Sequence, residues 1–175
     1  MGGKADGGHG GDGNRLSSGN SVESILAQWA VARPDLDCRP MGAVGQIWRT
    51  GALLTRVVSA NLKKYDLDMP GFDVLMTLRR QAGLAAMTPT ALASDMMLSP
   101  PAMTNRLDRL EVRGLIRRQA DEEDRRAIRI ALTNEGLALV DKAIESHLAV
   151  ENQLLKGLNL DERETLLTLL TRIGD

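Results

Sequence analysis

Two hydroxyl–proline pairs, Thr88-Pro89 and Ser99-Pro100, constrain this chain more than any other feature. Each reads as a helix start. The hydroxyl can accept from an orphan N–H of the first turn, and proline at the first helical position gives up only a donor without a helical partner. A short helix over about Pro89 to Met96 follows the first pair, and a second runs from the other pair to about Arg113. Gly114 stops it, because glycine takes the left-handed conformation past a helix end without a Cβ clash. Two helices joined this tightly form a helix-turn-helix.

The next residues have the periodicity of strands. Leu115 to Gln119 can extend, and Ala127 to Leu132 alternates Ile128, Ile130 and Leu132 with Arg129 and Ala131. Between them the run from Ala120 to Arg126 is almost wholly charged. A helix-turn-helix followed by a charged β-hairpin makes a winged helix; the plainer reading is a surface hairpin beside a helical pair. On a helical wheel Met103, Leu107, Leu110 and Gly114 share one face of the second helix, which should pack inward. Pro101, Thr104, Asn105, Asp108 and Val112 lie opposite, where small polar side chains can reach base edges in a major groove. Ser99, at the start of that helix, belongs with the same DNA-facing set. Arg106 falls on neither face, about 70° from the buried stripe and beside Ala102, Arg109 and Arg113. An arginine there is either a phosphate clamp or a cation turned toward an internal pocket.

The run MTNRLDRLEVRGLIRR, then DEEDRRAIRIALTNEG, resembles the winged-helix region of the MarR (multiple antibiotic resistance regulator) family. The pattern Asp-x-Arg, a strand, then Leu-Thr matches at Asp124, Arg126, Leu132 and Thr133. The resemblance extends from about Val22 to the C-terminus. It implies a mainly α fold with a small β-wing, a winged helix-turn-helix core over about 71–133, and dimerisation helices over about 21–65 and 134–175. Residues 21–175 would then form a single MarR-type domain. The resemblance also implies a homodimer on palindromic operator DNA, with Arg126 reaching the minor groove, Asp124 orienting it and Arg125 among the DNA-binding residues.

Net charge bears on that implication, because nucleic-acid binders tend to be basic. The chain has 22 Lys and Arg against 23 Asp and Glu, a formal charge of −1. Its arginines nevertheless cluster at 106, 109, 113, 117, 118, 125, 126 and 129, and local charge sets the field at DNA. Residues 1–20 are glycine-rich, polar and low in complexity, so a disordered tail is expected. They lack the apolar core of a signal peptide, and no later stretch is long enough to span a membrane, so the expected location is cytoplasmic.

The folded part should begin near Ser21. Val22, Ile25, Leu26 and Trp29 have amphipathic helical spacing, and a long helix from about Met41 to Tyr65 follows Pro40. Asp68-Met69-Pro70 breaks it before a helix over about Gly71 to Gln81 that carries Asp73. Thr133 should cap a further helix that Gly157 ends near Leu158, and Asp161 with Glu164 looks like the capping box of a last one. That last helix has Leu166, Leu167, Leu169, Leu170 and Ile173 on more than one side, which suits burial against a second subunit; packing within one chain is the alternative. His147 is expected along the interface side, in a structural or a pH-sensing role.

The stretch QWAVARPDLDCRPMG is similar to the N-terminal part of the urate-responsive branch of PecS and HucR type. That resemblance implies a ligand site at Trp29, Asp73, Arg106 and Arg118. Its effector would be urate, xanthine or a related aromatic acid. The chemistry agrees, since a planar purine anion needs cationic forks, an N–H acceptor and flat apolar walls. Each residue has a plainer reading as well. Trp29 can be a core aromatic, Asp73 can balance a helix dipole, and both arginines can hold phosphates. Cys38, the single cysteine, excludes intrachain disulfides and Cys-rich zinc sites; oxidant sensing there, or response to another phenolic ligand, is the alternative regulatory reading. No nucleophile–base set, metal-ligand spacing or phosphate-binding glycine loop appears, so neither an enzyme nor a cofactor or metal protein is expected.

Overall fold

The computed structural model describes residues 21–81, 87–121 and 127–173. The expected tail at 1–20 lies outside them, as does most of the charged turn. The elements are α1 (Val22–Ala32), α2 (Arg39–Leu62), a 3-10 turn (Lys63–Tyr65), α3 (Met69–Arg80), α4 (Pro89–Asp95), α5 (Pro100–Val112), β1 (Ile116–Ala120), β2 (Ile128–Leu132), α6 (Asn134–Leu154) and α7 (Leu160–Thr171). The chain divides into two compact units whose boundary, between Leu53 and Leu54, falls inside α2.

In the first unit the Ser21 side chain accepts from the Ser24 N–H at 3.1 Å and so starts α1. Leu26 lies on the backbone of α2 at Gly42, where an added Cβ would come within 2.7 Å of Leu26 Cδ1. In the connecting loop Arg33 pairs with Asp35 and Arg39 with Asp37, each at 2.7 Å. The Arg39 guanidinium holds the Asp37 carboxyl down to about 2, so the cation next to Cys38 is already engaged. No residue of α1 is buried, and Trp29 is 38% exposed, so it is not the core aromatic that spacing alone allowed.

The second unit holds the core. Leu62 of α2, Phe72 and Leu75 of α3, Leu92 of α4, Met103 and Leu107 of α5, and Val140 of α6 are all fully enclosed. Each large apolar side chain so buried stabilises the fold by roughly 1.5–3 kcal/mol. α3 starts on Asp68, which accepts from the Gly71 N–H at 2.8 Å. Asp73 therefore sits beyond the first turn, where the helix dipole does not account for it.

Thr88 caps α4 as expected, accepting from the Ala91 N–H at 3.1 Å. Ser99 departs from expectation: its side chain makes no capping bond. With Pro100 and Pro101 both lacking N–H groups, only Ala102 remains as a donor near it, and the hydroxyl stays uncommitted. Gly114 ends α5 in the left-handed region, φ +68°. Strands β1 and β2 pair antiparallel from Ile116 opposite Leu132 to Ala120 opposite Ile128. Met87 adds a third lane that the sequence pattern did not show, its carbonyl accepting from the Ile130 N–H at 2.8 Å.

Thr133 joins wing to helix. Its hydroxyl donates to the Gly114 carbonyl at 2.6 Å and accepts from the Gly136 N–H at 2.9 Å. The last two helices correct the sequence reading. α6 stops at Leu154, short of Gly157, where the chain tightens into a turn closed by the Leu158 N–H donating to the Leu155 carbonyl at 3.0 Å. Arg163 donates to the carbonyls of Leu155 (3.0 Å) and Leu158 (3.1 Å) just beyond the helix. The capping box of α7 is Asn159 with Glu162, not Asp161 with Glu164; Asn159 occupies the cap and leaves Asp161 inside the first turn.

Candidate DNA interface and effector site

The two charged edges of α5 organise this region. Its inward stripe is Met103, Leu107 and Leu110, and Pro101, Thr104, Asn105, Asp108 and Val112 are exposed on the opposite side. Asn105 makes no side-chain hydrogen bond among the described residues, while the Thr104 hydroxyl donates to the Pro100 carbonyl at 3.0 Å. The side chains of Ser99 and Asn105 thus keep their hydrogen-bonding capacity for an outside partner.

Arg106, Arg109 and Arg113 form one edge of the helix. They border an open groove of about 900 Å³ whose other side is the turn before α3, with Lys63, Asp66 and Pro70. Arg113 is committed there, donating to the carbonyls of Tyr65 and Asp66. Asp108 and Glu111 form the other edge, and Arg118 of β1 lies against it. The Arg118 Nη2 donates to Asp108 Oδ1 at 2.7 Å, its Nη1 donates to Glu111 Oε2, and its backbone N–H donates to Glu111 Oε1 at 3.2 Å. Neither acid's partnership was visible in the sequence, and Glu111 was not singled out at all.

Asp73 is half-buried on α3, and burial pushes its carboxyl above the usual range. Arg106 opposes that rise through its charge, as does His147, and Asp68 adds to it. Asp73 and Arg106 thus interact across α3 and α5 without a direct ion pair. Of the four residues the resemblance implied for a ligand, these two influence each other; Arg118 is turned to the far edge of α5, and Trp29 belongs to the first unit.

His147 is not where the sequence placed it. Its side chain is 12% exposed and its ring meets Phe72 edge-on at 5.1 Å between centroids, with Nε2 3.0 Å from Glu151 Oε1. The helical stripe of α6 that carries it packs on α3 instead of pointing to an outer face. At the wing, Asp124, Arg125 and Arg126 lie outside the described residues. Among the described residues beside the turn, the Asp121 N–H donates to the Ala127 carbonyl at 3.0 Å, and the buried Asp121 carboxylate pairs with Arg129. Sequence inspection missed that pair because alternation shows only that a residue faces outward, not what it meets. Among the described residues no group of three or more His, Cys, Asp or Glu could hold a metal ion. No described helix is long and apolar enough to cross a membrane.

Comparison with known proteins fits this geometry. Residues 67–128, which span α3 to the start of β2, match the MarR family model. The chain is 38% identical over 152 residues to the HTH-type transcriptional regulator PecS of Dickeya dadantii, covering 87% of this chain and 92% of that protein. A transcriptional repressor of Mycobacterium tuberculosis is 30% identical over 79% of this chain and 96% of its own. Among solved structures, Escherichia coli MarR carrying a cysteine-to-serine substitution and bound to operator DNA has a TM-score of 0.66 at 27% identity, covering 78% of this chain and 94% of that one. AbsC of Streptomyces coelicolor has a TM-score of 0.72 at 26% identity, covering 79% and 94%. The chain belongs to the MarR family of winged helix-turn-helix transcriptional regulators, which bind DNA and are not enzymes.

Proposed function

We propose that this protein is a repressor that binds palindromic operator DNA as a homodimer and leaves it when urate, or a related purine such as xanthine, binds. The observation that carries this reading is the half-buried Asp73 carboxylate under the charge of Arg106, a residue of the helix whose outer face is free to read DNA. A planar anion held by Arg106 would repel Asp73 and remove the charge that balances it. α5 would then turn. The two recognition helices of a dimer must keep a fixed separation to enter successive major grooves, about one turn apart. A small rotation therefore weakens both half-sites together. A coupling of about 1–3 kcal/mol would lower DNA affinity some 5–150-fold.

The dimer is supported by α7, where Leu160, Leu166, Leu167, Leu169 and Leu170 are all exposed, with Ile173 exposed just past its end. Ser99, Pro101, Thr104, Asn105 and Asp108 are proposed to meet the major groove, with Asp124, Arg125 and Arg126 at the wing. Trp29 is proposed to close the ligand pocket, with 21–175 acting as one protomer. For Arg118 to touch ligand it would first have to leave Asp108 and Glu111.

The test is urate titration followed by Trp29 fluorescence in a Trp48→Phe background, with salicylate as control. Saturable binding at about micromolar urate, abolished by Arg106→Ala, is the expected result. Undiminished urate binding by the Arg106→Ala protein would overturn the site.

A further inference from the structure

From Arg106 to Arg113 the chain reads R-L-D-R-L-E-V-R. Helical geometry sorts its charges, with Arg106, Arg109 and Arg113 on one edge of α5 and Asp108 and Glu111 on the other. A recognition helix in a major groove runs between two rows of phosphates. Its basic edge suits one row. Its acidic edge meets the other with the wrong sign, unless something neutralises it.

Arg118 is placed to do that. It meets both carboxylates, one with each terminal nitrogen, and adds a backbone N–H to Glu111. Its side chain is 27% exposed against 37% for Glu111 and 56% for Asp108, so the pairing with Glu111 is the less screened of the two. With Arg118 in place the acidic edge carries a net single negative charge; without it, two bare carboxylates would face the duplex.

We infer that Arg118 is a positioning residue that halves the negative charge of the acidic edge of the recognition helix, with Glu111 as its anchor, so that α5 enters DNA against one net negative charge instead of two. The contacts also fix the first wing strand against the last turns of α5, which couples wing to helix. This inference rests on DNA binding by α5 and does not depend on the identity of the effector.

The experiment measures dissociation constants by fluorescence anisotropy for two duplexes, one selected in vitro from a random pool and one of random sequence. Arg118→Ala is expected to weaken both by about tenfold at low salt. Adding Asp108→Asn and Glu111→Gln to that variant is expected to restore most of the loss on the random duplex, where no base is read. A triple variant as weak as Arg118→Ala would overturn the inference, because Arg118 would then act on phosphates directly. If Arg118→Ala does not fold, Glu111→Gln alone decides. Tighter binding to the random duplex supports the inference, and unchanged or weaker binding overturns it. Wild-type protein that bound neither duplex would overturn the DNA reading itself.

Discussion

Asp73 carries the clearest chemical signal at the scale of single residues. Burial raises its carboxyl above the ordinary value, against the pull of Arg106 and His147. The folded state then holds that proton more tightly than the unfolded chain does. The corresponding stability is fully present below the unfolded pKa, about 3.9, and is lost as pH rises through the higher folded value. At neutral pH the ionised carboxylate is a cost to folding. Asp73→Asn is therefore expected to raise Tm at neutral pH, with the gain shrinking as pH falls through the usual carboxylate range. Thermal melts of both proteins at pH about 7 and about 3.5 read this directly. An equal or lower Tm for the variant at neutral pH would show that Arg106 fully compensates the charge. The plainer sequence reading of Asp73 as a helix-dipole residue fails on position alone, since Asp68 already fills the cap of α3. Arg118 is the opposite lesson. The resemblance made it a ligand residue, with phosphate contact as the plainer reading, and only the fold shows the two carboxylates beside it, because they come from a helix ahead of it in the chain.

Local signals made most elements legible. Proline after Thr88 and Ser99, glycine at 114 and the alternation from Ile128 to Leu132 are short-range rules, and the helices and strands follow them closely. What long-range contact decides was not legible. The Met87 bridge, the contacts of Arg163 just beyond α6 and the inward turn of His147 all depend on residues distant in sequence or on neighbouring elements. The joint between β2 and α6 shows how closely these elements fit. A Cβ at Gly136 would overlap the carbonyl of Leu115, a backbone atom that cannot swing aside. The wing and α6 approach one another at that glycine, while Thr133 ties both to Gly114. Gly136→Ala should destabilise the protein by about 1–3 kcal/mol, as overpacking a tight backbone contact does. Urea unfolding followed by circular dichroism would show a lower midpoint at unchanged slope. An unshifted midpoint would mean that α6 slides without cost.

For the whole molecule, charge and apolar surface are distributed in ways the totals conceal. A chain of net charge −1 carries arginines at 106 and 109 on the flank of α5 and an exposed Arg117 on the first wing strand, while Arg118 is taken up by Asp108 and Glu111. Its acids are partly absorbed in pairs, among them Asp95 with Arg80 and Asp141 with Arg79. The leucines of α7 are exposed, and burying them on a second copy would supply the interface that the proposed dimer needs. The family and its fold were legible because wing and helix-turn-helix motifs are contiguous in sequence. The proposed effector site was less so, since the four residues that the resemblance implies are spread from Trp29 to Arg118 and only Asp73 and Arg106 influence each other.

The most direct measurement is a fluorescence-anisotropy titration of an in vitro selected duplex with wild-type protein, at fixed salt, without and with saturating urate. Two protomers per duplex, and an affinity some 5–150-fold weaker in urate but unchanged by salicylate, is the result predicted here. Tight binding of the same duplex that urate leaves unaltered would contradict a urate-relieved repressor while leaving the winged helix as a DNA reader.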